Sequence, residues 1–286
     1  MSGLRVMSFN LAGGYDEHEP GNAWIGSGRS ALVCEVIENS SPDLIGFQET
    51  QWPNFATFGE VLVAYDSFQG PHANDPPHLF NPVYWRRERL RPRSRGGFWI
   101  SDTPEKYSRS WESACVRTAT WVRFHDLAKG NDFLHVNVHL DHISEPARTG
   151  GASLLNRWMS DAASDGELQL LTGDFNCNPW TPEVEDAAEA GGTITDAVHR
   201  ILLADGFEDA FLCAGLRDGM ASNTYHGYEG TAYDLRLHHL SWRLDWVLFR
   251  GEGLQVDVER SETVRSHRGP LYPSDHYPVF ADLDWK

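Results

Sequence analysis

The chain has 286 residues, with 24 Lys+Arg against 41 Asp+Glu and a formal net charge of −17. Hydrophobic residues make up 41% and charged residues 23%, a balance that excludes a disordered or fibrous chain. A chain of this length buries a core large enough to fold without a disulfide or metal staple, and its acidic balance argues against binding long polyanions through bulk charge.

Patterning divides the chain into short strands and moderate helices. Residues 4–11 predict a strand, and residues 27–39 predict a helix with Ala31, Cys34 and Ile37 on one face. Residues 43–47 (DLIGF) have the doubly apolar character of a buried strand. Further strands are predicted at 61–65, 82–85 and 98–100, separated by loops rich in Pro, Gly and Arg. Residues 116–125 alternate as a strand does, with 132–140 as its hairpin neighbour. A helix over 145–163 leads to a buried strand at 168–171, and strands at 243–249, 255–260 and 279–283 close the chain. The acidic run 183–189 (EVEDAAE) reads as a solvated helix face. Each half holds a strand–helix–strand unit ending in an acid, Gln48-Glu49 in the first and Gly173-Asp174 in the second. That repetition predicts two stacked sheets flanked by helices in a single domain over residues 1–286. Cys34, Cys115, Cys177 and Cys213 lie far apart, as reduced thiols do rather than a disulfide framework or zinc knuckle. The amino end reads as a strand instead of a signal segment, and no apolar stretch approaches about 18 residues. The expectation is a cytoplasmic protein with no membrane span.

The residues that carry chemistry stand at strand ends, where rigid elements converge side chains on one point. They are Asn10, Glu49, His139 with Asp141, Asp174 with Asn176, Asp245, and Asp275 with His276. A single Asp or Asn after a strand is usually a turn residue. Six such placements are harder to explain that way, and Glu49, after an apolar run, is costly to bury unpaired.

The motifs SFN, GFQE, HLDH, GDFN-x-x-P, the mid-strand acid of RLDWV and the closing SDHYPV resemble the endonuclease/exonuclease/phosphatase (DNase I-like) superfamily. The resemblance runs in the family's order from Asn10 to His276, with GDFN and SDH as its specific part. FWISDTPE, SWESACVRTATW and TYHGY further resemble an uncharacterised bacterial branch. The resemblance implies a four-layer α/β sandwich with two stacked mixed β-sheets flanked by helices. It also implies hydrolysis of a phosphate mono- or diester by metal-assisted attack of water. Phosphate repels a nucleophilic hydroxide, so a divalent cation and hydrogen-bond donors are needed; hard carboxylate ligands suit Mg²⁺ or Mn²⁺. By the family pattern Glu49 is the metal ligand, Asn10 an amide of the metal shell and Asp275 an accessory ligand. Asp174 orients or deprotonates the attacking water, and Asn176 contacts a phosphate oxygen. His276 donates to the phosphate while Asp245 holds its other nitrogen. His139 is a phosphate contact or leaving-group acid.

Arg117, Arg148, His226 and Trp99 are substrate-binding candidates, set against ordinary roles in ion pairs, turns and sheet packing. Two rival functions arise. His139-Leu-Asp-His142 contains part of the H-x-H-x-D-H zinc motif, but Asn137 stands at its first position and an amide is a poor zinc ligand. A non-catalytic binding module on the same fold has no reason to keep so many costly polar residues. Arg86, Arg87, Arg89, Arg91, Arg93 and Arg95 form the one basic run, read either as a solvated hairpin or as a docking edge for a phosphate-rich substrate. With a charge of −17, a small or terminal phosphoester is expected over internal cleavage of duplex DNA, endo- or exonuclease action on nucleic acid being the alternative.

Overall fold

Alternation along the first strand lays out the molecule. In the computed structural model, which describes residues 3–14, 22–72, 78–179, 196–234 and 242–286, β1 (Leu4–Asn10) sends Leu4 and Val6 into a core between two sheets. Met7 and Phe9 point the other way, into a core beneath helices. The chain crosses over through α1 (Arg29–Ser40) to β2 (Leu44–Gln48), which lies parallel to β1 with Asn10 opposite Gln48. After α2 (Trp52–Val61), β3 (Tyr65–Phe68) and β4 (Val83–Arg86) extend the sheet beyond β2. The last two strands, β11 (Val256–Thr263) and β12 (Val279–Trp285), complete it on the far side of β1, giving the order β11-β12-β1-β2-β4-β3.

The second sheet repeats the device. β7 (Asp132–His139), α3 (Glu145–Ala162) and β8 (Leu168–Asp174) form a parallel unit with His139 opposite Asp174. β5 (Leu90–Trp99) and β6 (Thr118–Asp126) pair antiparallel on one side, and β10 (Asp245–Arg250) with the short β9 (Glu208–Asp209) on the other. Helix α3 starts where Ser144 Oγ accepts the Ala147 N–H at 3.2 Å. Its buried residues Arg148, Gly151, Ala152, Leu155 and Met159 repeat at helical spacing against the outer face of this sheet. α4 (Ala197–Ala204) covers the same face. The result is the expected four layers.

The space between the sheets changes character along the strands, and this places the site. Leu4, Val6, Leu44, Phe133, Leu168, Leu170, Val247 and Phe249 fill one end with hydrocarbon. Toward the other end the inward positions become Gln48, His135, Asn137 and Thr172, all fully buried. Asn137 spends all its bonding capacity there. Its Nδ2 donates to Phe47 O (2.7 Å) and Pro82 O (3.1 Å), and its Oδ1 accepts from Gln48 Nε2 (2.7 Å) and Thr172 Oγ1 (3.1 Å). The sheets approach closely enough that a Cβ on Gly46 would lie 2.3 Å from Thr172 Oγ1, so only glycine fits. Asn137 is therefore a structural bridge, which removes the zinc-motif reading at that position.

Several expected elements shift. Residues 61–65 are not a strand: Val61 ends α2, and the strand begins at Tyr65. α1 buries Leu32, Val33, Val36 and Ile37 in place of the Ala31/Cys34/Ile37 face. The strand expected at 98–100 is only the end of the ten-residue β5, whose exposed edge hides any alternation. The arginine run covers the end of β4, the turn after it and the exposed part of β5. Arg86 Nε donates to Pro42 O (3.1 Å), Arg87 pairs with Asp66, Arg89 grips both oxygens of Asp126 (2.9 and 2.8 Å), Arg93 faces Asp132, and Arg95 lies over the Phe68 ring. The acidic run 183–189 and residues 73–77 of the Pro-rich loop lie outside the described residues. The four cysteines form no disulfide. No helix among the described residues is long and apolar enough to cross a membrane.

Candidate active site

Strand register brings the predicted polar residues to one end of the sandwich. Asn10 ends β1, Glu49 follows β2, His139 ends β7, Asp174 ends β8 and Asp245 opens β10 directly opposite Asp174. His276 precedes β12 and joins Tyr225 in an isolated bridge. Glu49 and Asn176 both adopt left-handed backbone (φ 52° and 48°), the sharp turns that aim side chains sideways off a strand end. They open onto a cleft of about 470 Å³ lined by Glu49, Arg117, His139, Asp174, Asn176, Asp275 and His276. Leu79, Cys115, His142, Tyr225, Trp242 and Leu244 complete its wall.

One amide ties the two principal acids. Asn10 Nδ2 donates to Glu49 Oε1 at 3.1 Å and to Asp174 Oδ2 at 2.9 Å, while its Oδ1 accepts from Ala12 N. Asn10 thus presents hydrogens to the carboxylates. Asp174 Oδ1 accepts from Asn176 N at 2.9 Å, and Oδ2 lies 3.4 Å from His139 Nε2 and 3.7 Å from His276 Nε2. Burial pushes Asp174 up to about 7, only partly opposed by His276, with Asp245 adding to the rise. Burial also raises Glu49, reinforced by the Asp275 carboxylate, although its side chain remains 31% exposed toward the cleft. His276 moves the other way. Burial opposes its charge, but Asp245 Oδ2 at 2.8 Å from Nδ1, together with Asp174, holds it well above its ordinary value as an imidazolium.

His139 is neutral, held well below its ordinary value by burial and by Arg117. Both hydrogens of Asn176 Nδ2 have acceptors, Leu140 O at 3.1 Å and His139 Nε2 at 2.9 Å. On its other side, His139 Nδ1 lies 3.9 Å from Glu49 Oε1. His139 is therefore a neutral hydrogen-bonding group in the cleft, with Asn176 against its ring.

Of the four substrate-binding candidates the structure brings Arg117 alone into the cleft. Its Nη2 donates to His142 Nδ1 at 3.0 Å, and its Nε lies 4.0 Å from Asp141 Oδ2. Asp141, named in the HLDH motif but given no role, braces this wall by accepting from Ser113 Oγ, Ala114 N, Ile143 N and Ser144 N. Arg148 is buried at the start of α3 and donates to Asp141 O at 2.9 Å. Trp99 packs on Tyr107, away from the cleft wall. His226 is buried in a stack on Tyr277 (3.9 Å) and beside Tyr272 (4.7 Å); its neighbour Tyr225 faces the cleft. Alternation was the available signal, since one residue's shift in a bridged segment reverses which side chain points at the partner. Arg29, also missed, is buried and donates to Leu11 O, Gly13 O and Pro273 O, fastening the loop after Asn10 to the segment before Asp275.

The donor set suits a divalent cation. Glu49, His139 and Asp174 offer ligand atoms within 4.8 Å of one another. A cation held there would relieve the mutual repulsion of Glu49 and Asp275. Carboxylate oxygens predominate, the preference of Mg²⁺ and Mn²⁺.

No curated relative matches the sequence, but solved structures share the whole fold. An endonuclease/exonuclease/phosphatase family protein from Bacteroides thetaiotaomicron aligns with a TM-score of 0.80 at 22% identity, over 98% of this chain and 94% of that one. A family protein from Bacteroides vulgatus aligns with a TM-score of 0.79 at 25% identity, over 99% of each chain. A Bacteroides thetaiotaomicron mannosyl-6-phosphatase aligns with a TM-score of 0.78 at 23% identity, over 98% of this chain and 99% of that one. The family pattern itself matches residues 7–276, from within the first strand to His276, and so takes in every strand end on which the cleft is built. The chain belongs to the Endonuclease/Exonuclease/phosphatase family.

Proposed function

We propose that the protein hydrolyses a small phosphoester with a divalent cation, Mg²⁺ or Mn²⁺, as cofactor. The observation that carries this reading is the pair of raised carboxyls, Glu49 and Asp174, bridged by one amide and faced by a charged His276. Glu49 would hold the cation, with Asp275 and Asp174 in reach, and the bound ion supplies neutralisation of phosphate charge. Asp174, held near neutrality, takes a proton from the attacking water. His276 donates from Nε2 to the oxygen on which charge develops, its charge maintained by Asp245. Arg117 offers a fixed cationic donor to a second phosphate oxygen. His139, contacted by Asn176, adds a neutral hydrogen-bonding group.

Two features favour a small substrate over duplex DNA. The cleft volume of about 470 Å³ matches a small ligand. Most of the arginines from Arg86 to Arg95 face acids or rings of their own protein, on a chain of charge −17. The testing experiment compares kcat/KM on hexose phosphates, nucleotides and inositol phosphates with nicking of plasmid DNA, together with the salt slope of DNA binding. Turnover of one small phosphoester well above DNA cleavage is expected. Efficient nicking with steep salt dependence and negligible small-molecule turnover would overturn the substrate assignment.

A further inference from the structure

We propose that Thr224 is the positioning residue that sets the geometry of the Asp245–His276 pair, an inference that rests on the phosphoesterase reading of this site. The two partners come from different sheets: Asp245 opens β10 of the second, and His276 leads into β12 of the first. Their 2.8 Å bond therefore depends on how the two backbones are held together. Thr224, fully buried, fastens both. Its Oγ1 accepts from Leu244 N at 2.9 Å and from Asp245 N at 3.2 Å, and donates to Trp242 O at 3.3 Å. Its backbone N–H donates to Trp242 O at 3.0 Å, and its carbonyl accepts from Tyr277 N at 2.7 Å. One residue thus grips the chain at Asp245 and again one position past His276.

The hydroxyl is the part that cannot be replaced by packing. Valine has nearly the same shape but no acceptor, so Thr224→Val leaves two adjacent buried N–H groups unpaired at the residue that orients His276. Backbone there shifts to find other partners, and a displacement of about 1 Å at a catalytic group costs about 100-fold in rate. Serine keeps the oxygen. Thr224 does not itself line the cleft, so its effect passes through the residues it holds: Asp245 and His276, with Trp242 and Leu244 of the wall beside them.

The test measures kcat and KM for Thr224→Val and Thr224→Ser on the best substrate of the panel. In parallel, proton NMR follows the downfield imidazole N–H shared by His276 Nδ1 and Asp245, assigned by its loss in His276→Ala. Thr224→Val is expected to lower kcat about 100-fold with KM changed less than about 3-fold and to lose or shift that resonance, whereas Thr224→Ser keeps both near wild type. A folded Thr224→Val with wild-type kcat and an unmoved resonance overturns the proposal. So does a Thr224→Ser as impaired as the valine variant. If the valine variant does not fold, Thr224→Ala removes the same acceptor with less crowding and is judged by the same outcomes. A wild-type protein inactive on every phosphoester would refute the functional reading, while the resonance still decides the role of Thr224.

Discussion

Asp245→Asn and His276→Ala are each expected to lower kcat by about 10²–10³-fold, and the double variant by scarcely more than either alone. The reason is geometric. Asp245 Oδ2 is bonded to His276 Nδ1, so removing the acid takes away the charge and orientation that make the imidazole useful. Removing the imidazole leaves the acid with nothing to orient. Stability should separate the same variants differently. Asp245 is fully buried, and its Oδ1 has no hydrogen-bond partner. His276→Ala therefore leaves an uncompensated buried carboxylate, worth about 3–5 kcal/mol of destabilisation, much of which the added Asp245→Asn should restore. A double-variant cycle in kcat and in urea unfolding checks both. Simply multiplicative kinetic losses would show that the two residues act separately.

Arg243→Met is expected to destabilise the protein by about 3–5 kcal/mol. Arg243 is buried between two buried carboxylates, with Asp209 Oδ2 at 2.7 Å from Nη2 and Asp218 Oδ1 at 2.6 Å from Nε. Asp209 also meets His199 Nε2 at 3.0 Å. Methionine fills the space but leaves both acids without their cation. Burial alone would raise Asp209; Arg243 and His199 outweigh it and hold this carboxyl well below its usual range. A depressed acid contributes stability above its unfolded value of about 3.9 and loses that contribution as pH falls toward its folded value. The gap between wild type and variant should thus be full at pH 6 and narrow steadily below about pH 4. Chemical unfolding across that range is the check, and a gap below about 1 kcal/mol at pH 6 would show that the network is not what anchors this segment.

How much of this was legible depended on whether a residue's role is local or set across the fold. Glu49, Asp174 and Asp275-His276 stood out because a polar residue ending an apolar run is visible in the sequence itself. Two stacked sheets flanked by helices followed from the two strand–helix–strand units with matching acidic ends, and the four-layer sandwich from the family resemblance. Arg29, Thr224 and Arg243 were not visible, since each acts on backbone or acids far away in sequence: Arg29 reaches Pro273, and Thr224 reaches Leu244 and Tyr277. The Trp52–Val61 helix was missed because it buries only Asn54 and Phe58 fully, too few for a helical stripe. The arginine run stayed open to two readings for a related reason. Its residues run from the end of β4 through a turn onto the edge strand β5, and their partners, Asp66, Asp126 and Asp132, come from other strands that composition does not reveal.

The most direct test strips divalent ions from the protein with a chelator and measures phosphoester hydrolysis before and after adding Mg²⁺ or Mn²⁺, in wild type and in Glu49→Gln. Wild type should be inactive when stripped and recover when either ion is added. Glu49→Gln should stay folded, with a melting temperature at or above that of the stripped wild type, because the amide removes a carboxylate whose ionisation is opposed by burial and by Asp275. It should remain largely inactive at metal concentrations that saturate wild type. Full activity in excess chelator, or a fully active Glu49→Gln at low Mg²⁺, would contradict the account.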